Sequence, residues 1–227
     1  MCWNEHVSIN TFIFSCFVIT LTAYNNEYTP YKIHGMNIYT YIFAFSVIFM
    51  QLIEFFLWRN IDNVFYNSLF SIIGILLICF QPIASILLIE NNPSLIQSFI
   101  LAYLLALGFG FSQISFNKIP ITKIVDGHLR WKWINLTNFY IFIFMMLCYV
   151  FFLFFPILYN CLQQTTIINN WFFIFIFAFS TYLYTLYSFV KKGYSYSLWC
   201  WFINIISIYV AFKILIYLPY VEKMELC

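Results

Sequence analysis

The sequence predicts an all-α, polytopic integral membrane protein, a single domain whose seven transmembrane helices form an up-down bundle. Three observations lead to this fold class. Of the 227 residues, 64% are hydrophobic and only 8% are charged, which is too little charge to cover a soluble domain of this size. The apolar segments approach the length of about 20 residues that one bilayer crossing needs. The connections between them are short, so successive helices should be antiparallel neighbours.

Each apolar segment is predicted as a helix, because a backbone in lipid must satisfy its own hydrogen bonds. The strands of a membrane barrel are about 10 residues long and alternate in polarity, unlike these segments. The first segment is short, and the third contains Pro82, which we expect to kink the helix and free a backbone carbonyl for Gln81 or a neighbour. The predicted helices cover residues 7–24, 36–58, 64–89, 94–116, 137–159, 171–190 and 197–219.

The cations are distributed unequally over the two ends of the predicted bundle. The connections on the side of the N-terminus hold more Lys and Arg than those on the other side, where only Lys32 and Lys223 lie. By the positive-inside rule the N-terminus is then cytoplasmic and the C-terminus outside. The cations on the N-terminal side are Arg59, Lys118, Lys123, Arg130, Lys132, Lys191 and Lys192.

The longest connection on that side predicts a β-hairpin. Asp126-Gly127 favours a tight turn, and after it Leu129, Trp131 and Trp133 alternate with three cationic residues. Period two places indoles and cations on opposite faces. Two interpretations remain open, a lid over a cytoplasmic cavity and an interfacial anchor on anionic lipid.

A buried acid is predicted in the second helix. Gln51, Glu54 and Trp58 share one face at i, i+3 and i+7. A carboxyl group inside a membrane is costly and usually faces protein or water. Glu54 could contact a ligand or cation or carry a proton, or it could be a structural hydrogen-bonding hub with Gln51 or Arg59.

Trp199 lies close to a polar stripe that opens the seventh helix. Ser197, Cys200, Asn204 and Ser207 follow helical spacing. Such residues often hold membrane helices together, and the alternative is that Cys200 and Asn204 line a cavity shared with Glu54. Six of the seven tryptophans map to this same end, which a two-sided aromatic belt does not explain.

A metal site is a further hypothesis. Cys2, Glu54 and His128 map to the same depth and can ligate Zn²⁺ or copper, although no spacing motif enforces such a site. A membrane-embedded enzyme using Cys2 or Cys200 is the corresponding functional alternative. The aromatic residues lack an accompanying basic groove, so nucleic acid is excluded as a partner, and the lipid bilayer is the expected one.

The start Met1-Cys2-Trp3-Asn4, the Gln51-x-x-Glu54-x-x-x-Trp58 pattern and Ser197-Leu-Trp199-Cys200 resemble an uncharacterised family of small seven-helix membrane proteins. Its members begin Met-Cys-Trp/Phe-Asn/Ser and carry a Gln-x-x-Glu-x-x-x-Trp second helix. The resemblance implies an all-helical bundle in which these residues belong together. It implies no activity.

Lys213 in the last helix raises a further alternative, an inverted photoreceptor holding retinal as a Schiff base. Against it, the third helix has no carboxylate at mid-membrane, and Lys213 is close enough to the helix end to reach the interface. The preferred function is binding or transport of a small molecule or lipid headgroup in a polar cavity at the cytoplasmic end. Gln51, Glu54, Trp58, Trp199, Cys200 and Asn204 are its predicted ligand-binding residues.

Overall fold

The protein is described by a computed structural model for residues 4–33, 35–90, 92–113, 120–125, 127–131, 139–163, 170–192 and 199–225. Helices form most of it. In chain order they are α1 (Glu5–Tyr28), α2 (Ile38–Arg59), α3 (Val64–Ile86), α4 (Pro93–Ser112), α5 (Phe139–Gln163), α6 (Asn170–Lys192), α7 (Trp199–Phe212) and α8 (Leu218–Glu225). Two strands, β1 (Thr122–Val125) and β2 (His128–Trp131), lie between α4 and α5.

Some helix boundaries differ from the predicted ones, in both directions. The prediction for the first helix was too short, because α1 continues to Tyr28 through Asn25 and Asn26. The predicted third and fourth helices were too long, since α3 ends at Ile86 and α4 at Ser112.

An asparagine is the N-cap residue of four of the helices. In each case the side-chain oxygen accepts a hydrogen bond from the backbone N–H three residues later, which satisfies a donor at the open helix end. Sequence reasoning did not use this signal. The four capping residues are Asn4, Asn37, Asn63 and Asn92.

Successive helices are neighbours, as the short connections predict. The bundle is also closed, because α1 packs against both α2 and α7, and α3 packs against α5 as well as α4. One end of the bundle therefore carries the start of α1, the end of α2 and the start of α3, with the β-hairpin beside them. We call this the hairpin end, and the other the opposite end.

Polarity is inverted relative to a water-soluble protein. The buried residues of α1 are mostly small or polar and recur every three or four positions: Ser8, Thr11, Ser15, Val18, Thr22 and Asn25. Its outer face presents Ile13 and Phe17. Among the described residues, six helices are long and apolar enough to cross a membrane. Polar groups inside and apolar groups outside indicate a multi-pass membrane protein.

Gln81 links three helices in the interior. Its Nε2 donates to the Ser46 carbonyl of α2 at 3.2 Å, and its Oε1 accepts from the Tyr149 hydroxyl of α5 at 2.6 Å. The amide thus reaches across to other helices. The sequence analysis instead predicted that the Gln81 side chain, or a neighbour, bonds to the backbone carbonyl that Pro82 frees within α3.

Replacing Gln81 with Leu should lower the free energy of unfolding by about 1–2 kcal/mol, since both interhelical hydrogen bonds are lost. Tyr149→Phe removes one of the two and should cost about half as much. Unfolding by SDS in mixed micelles measures both variants. Equal stability of Gln81→Leu and the wild type would show that the two bonds contribute nothing net.

The last helix contains an irregular turn at Lys213. A π-helical turn, Lys213–Tyr217, joins α7 to α8 without a break, so the helical rod runs past residue 219, where the sequence predicted its end. π-Turns often occur at functional sites. The retinal alternative stays a prediction. A Schiff base at Lys213 would give visible absorbance after retinal is added.

Candidate functional site at the hairpin end

The predicted hairpin is confirmed. β1 and β2 pair antiparallel, with Val125 opposite His128; Asp126 lies outside the described residues. Gly127 has a positive φ of 72°, a conformation that glycine adopts without steric cost. The register places Thr122, Ile124 and Leu129 on one face of the hairpin.

Polar contacts attach this face to α3. Asn67 Nδ2 donates to the Thr122 carbonyl at 2.9 Å, and the Thr122 N–H donates back to Asn67 Oδ1 at 2.8 Å. The Ser71 and Thr122 hydroxyls lie 2.8 Å apart. Asn67, Ser71 and Thr122 are all buried, so solvent does not compete for the hydrogen bonds that hold the first strand.

An apolar contact completes the attachment. Leu129, only 1% exposed, forms a buried cluster with Ile53 and Leu57 of α2, and the partly buried Trp58 and Phe70 pack against it. The hairpin therefore bridges α2 and α3. Its docked face is the one predicted to carry the indoles, although the side chain of Trp131 and all of Trp133 lie outside the described residues.

Glu54 lies at the middle of the inner face of α2. Val47, Met50, Gln51, Glu54 and Leu57 are buried and recur at spacings of three and four, and both Gln51 and Glu54 are 0% exposed. At 100° per residue the Glu54 position bisects this arc. The carboxyl group is about 7.5 Å along the axis from the end of α2, at 1.5 Å per residue.

Arg59, the predicted cation nearest to Glu54 along the chain, lies at the end of α2. Arg59 is exposed and directs its guanidinium to Glu5 at the start of α1, with Nε 3.6 Å from Oε2. It also lies over the Phe55 ring at 5.8 Å. The structural hub predicted around Glu54, with Gln51 or Arg59 as its partner, stays a prediction. Trp58 has its indole N–H shielded from solvent and makes no hydrogen bond to a described residue.

The polar stripe of the seventh helix faces α1. Asn204 Nδ2 donates to the Thr11 hydroxyl at 2.9 Å, and Ser207 Oγ donates to Ser15 Oγ at 3.0 Å. Thr11 and Ser15 are one turn apart on the buried face of α1. This pairing is what the helix-holding interpretation of the stripe predicts.

A double-mutant cycle of Thr11→Val and Asn204→Leu should give a coupling free energy of about 0.5–1.5 kcal/mol, since the two side chains share one interhelical bond. Unfolding in mixed micelles measures it. A coupling free energy near zero would contradict the helix-holding interpretation and favour Asn204 as a residue that lines a cavity.

The structure describes only part of the other predicted site residues. Trp199 and Cys200 begin α7, but their side chains lie outside the described residues, as does all of Cys2. His128 begins β2 next to the turn. Within the described part of the chain, no three His, Cys, Asp or Glu residues are grouped closely enough to hold a metal. The metal site remains a hypothesis that depends on Cys2.

Sequence reasoning missed Asn67, Ser71 and Thr122, which attach the hairpin. Asn67 and Ser71 are four residues apart on an apolar helix, a spacing that signals a polar contact on one face. Nothing in the sequence names Thr122 as the partner of that face.

No protein-family model matches the chain, and neither a curated protein nor a solved structure shows significant similarity.

Proposed function

We propose that the protein is a seven-crossing membrane protein that binds or transports a small molecule or lipid headgroup at the hairpin end, with Glu54 as the charged contact. The observation that carries the proposal is the complete burial of Glu54 at the centre of the inner face of α2. A carboxyl group at such a position costs several kcal/mol of transfer free energy. Ionisable residues inside membrane helices usually mark a substrate, ion or proton site.

The second argument for the proposed site is the docked hairpin at the same end of the bundle. It is attached to α2 and α3 by a polar contact at Thr122 and an apolar contact at Leu129. As a cover, the hairpin would keep water from this end of the bundle, which would strengthen the interaction of a carboxylate with a cationic or hydrogen-bonding ligand. Release of the hairpin would open the route to Glu54.

The orientation of the proposed site follows from the cations. Seven of the Lys and Arg residues map to the connections of the hairpin end, so this end faces the cytoplasm and the C-terminus lies outside. The helix α6 then supplies the crossing beyond the six that meet the length and composition criteria. Its apolar part is Phe172–Tyr184.

The acid makes a cationic ligand the one to test first. Thermal unfolding of the purified protein should be measured with ethanolamine, choline, glycerol and glycerol phosphate. We expect ethanolamine or choline to raise the Tm of the wild type, and neither to raise that of Glu54→Gln, which keeps the side-chain volume and removes the ionisable group. Glycerol phosphate should have no effect on either protein.

Asp62→Asn is the matched control, because Asp62 is an exposed carboxylate near the same end. It should retain the full response to the cations. An equal response of Glu54→Gln and the wild type, or no response of the wild type to either cation, would contradict the proposed role of Glu54.

A further inference from the structure

A surface cleft of about 480 Å³ lies at the opposite end of the bundle, far from Glu54. The last turn of α1, the α1–α2 connection and the start of α2 enclose it. Its polar lining comes from Asn26, Glu27, Lys32 and Tyr41.

Two oppositely charged side chains line this cleft and do not form an ion pair with each other. Glu27 and Lys32 both border it and both are exposed. In the described part of the chain neither forms an ion pair within 4.0 Å, the described pairs being those of Glu5. An ammonium group suits the carboxylate of Glu27, and an anionic group suits the ammonium of Lys32.

Hydrogen bonds hold the backbone at Ile33 and Gly35, close to Lys32. Asn26 binds the backbone of Ile33 in both directions, accepting from its N–H at 2.9 Å and donating to its carbonyl at 3.3 Å. Thr40 donates to the Gly35 carbonyl at 2.9 Å, and Gly35 takes a positive φ of 82°. A connection fixed in this way loses little conformational entropy when a ligand binds.

The surroundings of the cleft match the depth of lipid headgroups. Tyr24 and Tyr28, whose rings are 5.1 Å apart, are exposed on the last turns of α1, and Tyr39 is exposed on the first turn of α2. Exposed tyrosines at a helix end mark the membrane–water interface. Ile33 and Met36 add apolar lining against which the glycerol region of a lipid can pack.

We propose that this cleft binds a zwitterion that carries an ammonium group and a phosphate, with the ammonium at Glu27 and the phosphate at Lys32. A phospholipid headgroup and a free phosphoethanolamine share this chemistry. The site is separate from the one proposed at Glu54, and it needs no opening of the hairpin.

The test is lipid selection by the purified protein. After reconstitution in vesicles of equal parts phosphatidylethanolamine, phosphatidylcholine and phosphatidylglycerol, retained lipids are counted by native mass spectrometry. We expect the two zwitterionic lipids to exceed phosphatidylglycerol about two- to fivefold, the ratio that one exposed ion pair supports. Glu27→Gln should abolish this preference, and Lys32→Gln should reduce the retention of all three lipids.

Lys223→Gln is the control, because it removes a cation predicted on the same side of the membrane and leaves Glu27 and Lys32 in place. It should select lipids as the wild type does. In a second arm, free phosphoethanolamine is added to the detergent-solubilised protein. Stabilisation that depends on Glu27 and Lys32, without lipid selection, assigns the site to a free zwitterion. Selection unchanged by Glu27→Gln together with no effect of phosphoethanolamine overturns the proposal.

Discussion

Replacing Asn67 with Ala should detach the hairpin from α3 and make the chain sensitive to trypsin after Lys123. The substitution removes both hydrogen bonds to the Thr122 backbone. It leaves a buried N–H and a buried carbonyl without partners, each costing about 1–3 kcal/mol. We therefore expect a loss of about 2–4 kcal/mol in the free energy of hairpin attachment. The rate of cleavage after Lys123 under native conditions, followed by mass spectrometry, measures it.

Asn60→Ala is the matched control. Asn60 lies at the same end of the bundle, but its side chain donates within its own helix, to the Phe56 carbonyl at 2.8 Å. Cleavage after Lys123 should stay at the wild-type rate in this variant. If Asn67→Ala also left that rate unchanged, the polar attachment would be energetically unimportant and the hairpin would be held by other contacts.

Replacing Leu129 with Asp should have an effect of similar size through the apolar attachment. Leu129 is 1% exposed between Ile53 and Leu57, so the variant removes a buried side chain and offers a carboxylate to an apolar cluster. Truncation alone costs about 2–5 kcal/mol, and an unpaired charge adds to this. We expect hairpin release, seen as rapid trypsin cleavage and as increased fluorescence quenching of the tryptophans by iodide.

Ile124→Asp is the matched control for Leu129. The two residues are cross-strand partners on the same face, but Ile124 is 45% exposed. The carboxylate at position 124 can reach solvent, so the hairpin should stay attached. Similar release in both variants would mean that charge on this face, rather than the buried contact of Leu129, controls attachment.

The two attachments also bear on the proposed site. If the hairpin covers the route to Glu54, then Asn67→Ala should let a cationic ligand bind and dissociate faster without changing which cations bind. The route and the recognition of the ligand would then be separate properties, the first set by Thr122 and its partners and the second by Glu54.

Much of the fold could be predicted because its signals are local. Apolar length alone predicted the helices, since a buried backbone in lipid must be helical. Asp126-Gly127 predicted the hairpin, because few residue pairs adopt a tight two-residue turn. The spacing of Gln51 and Glu54 predicted that they share a face. The errors lie at boundaries, as in α1, where Asn25 continues the helix by making side-chain contacts that hydropathy does not register.

The contacts that assemble the candidate site could not be predicted in this way. Thr122 is 55 positions from Asn67, and Asn204 is 193 positions from Thr11. The sequence presented Asn204 both as a helix-holding residue and as a possible cavity wall, and periodicity alone could not choose between them. Its partner on α1 is visible only when the bundle closes and α7 packs beside the first helix.

By itself the sequence determined that the chain is helical, apolar on its outside and equipped with one deep acid and one tight hairpin. These properties depend on neighbouring residues and on the solvent that surrounds them. Only the tertiary structure decided that the hairpin docks through Thr122 and Leu129, that the polar face of α1 is shared with α7, and that Glu27 and Lys32 border one cleft. Those facts depend on which helix faces lie in contact, and hydrogen-bonding groups of the same kind are available at many other positions along the chain.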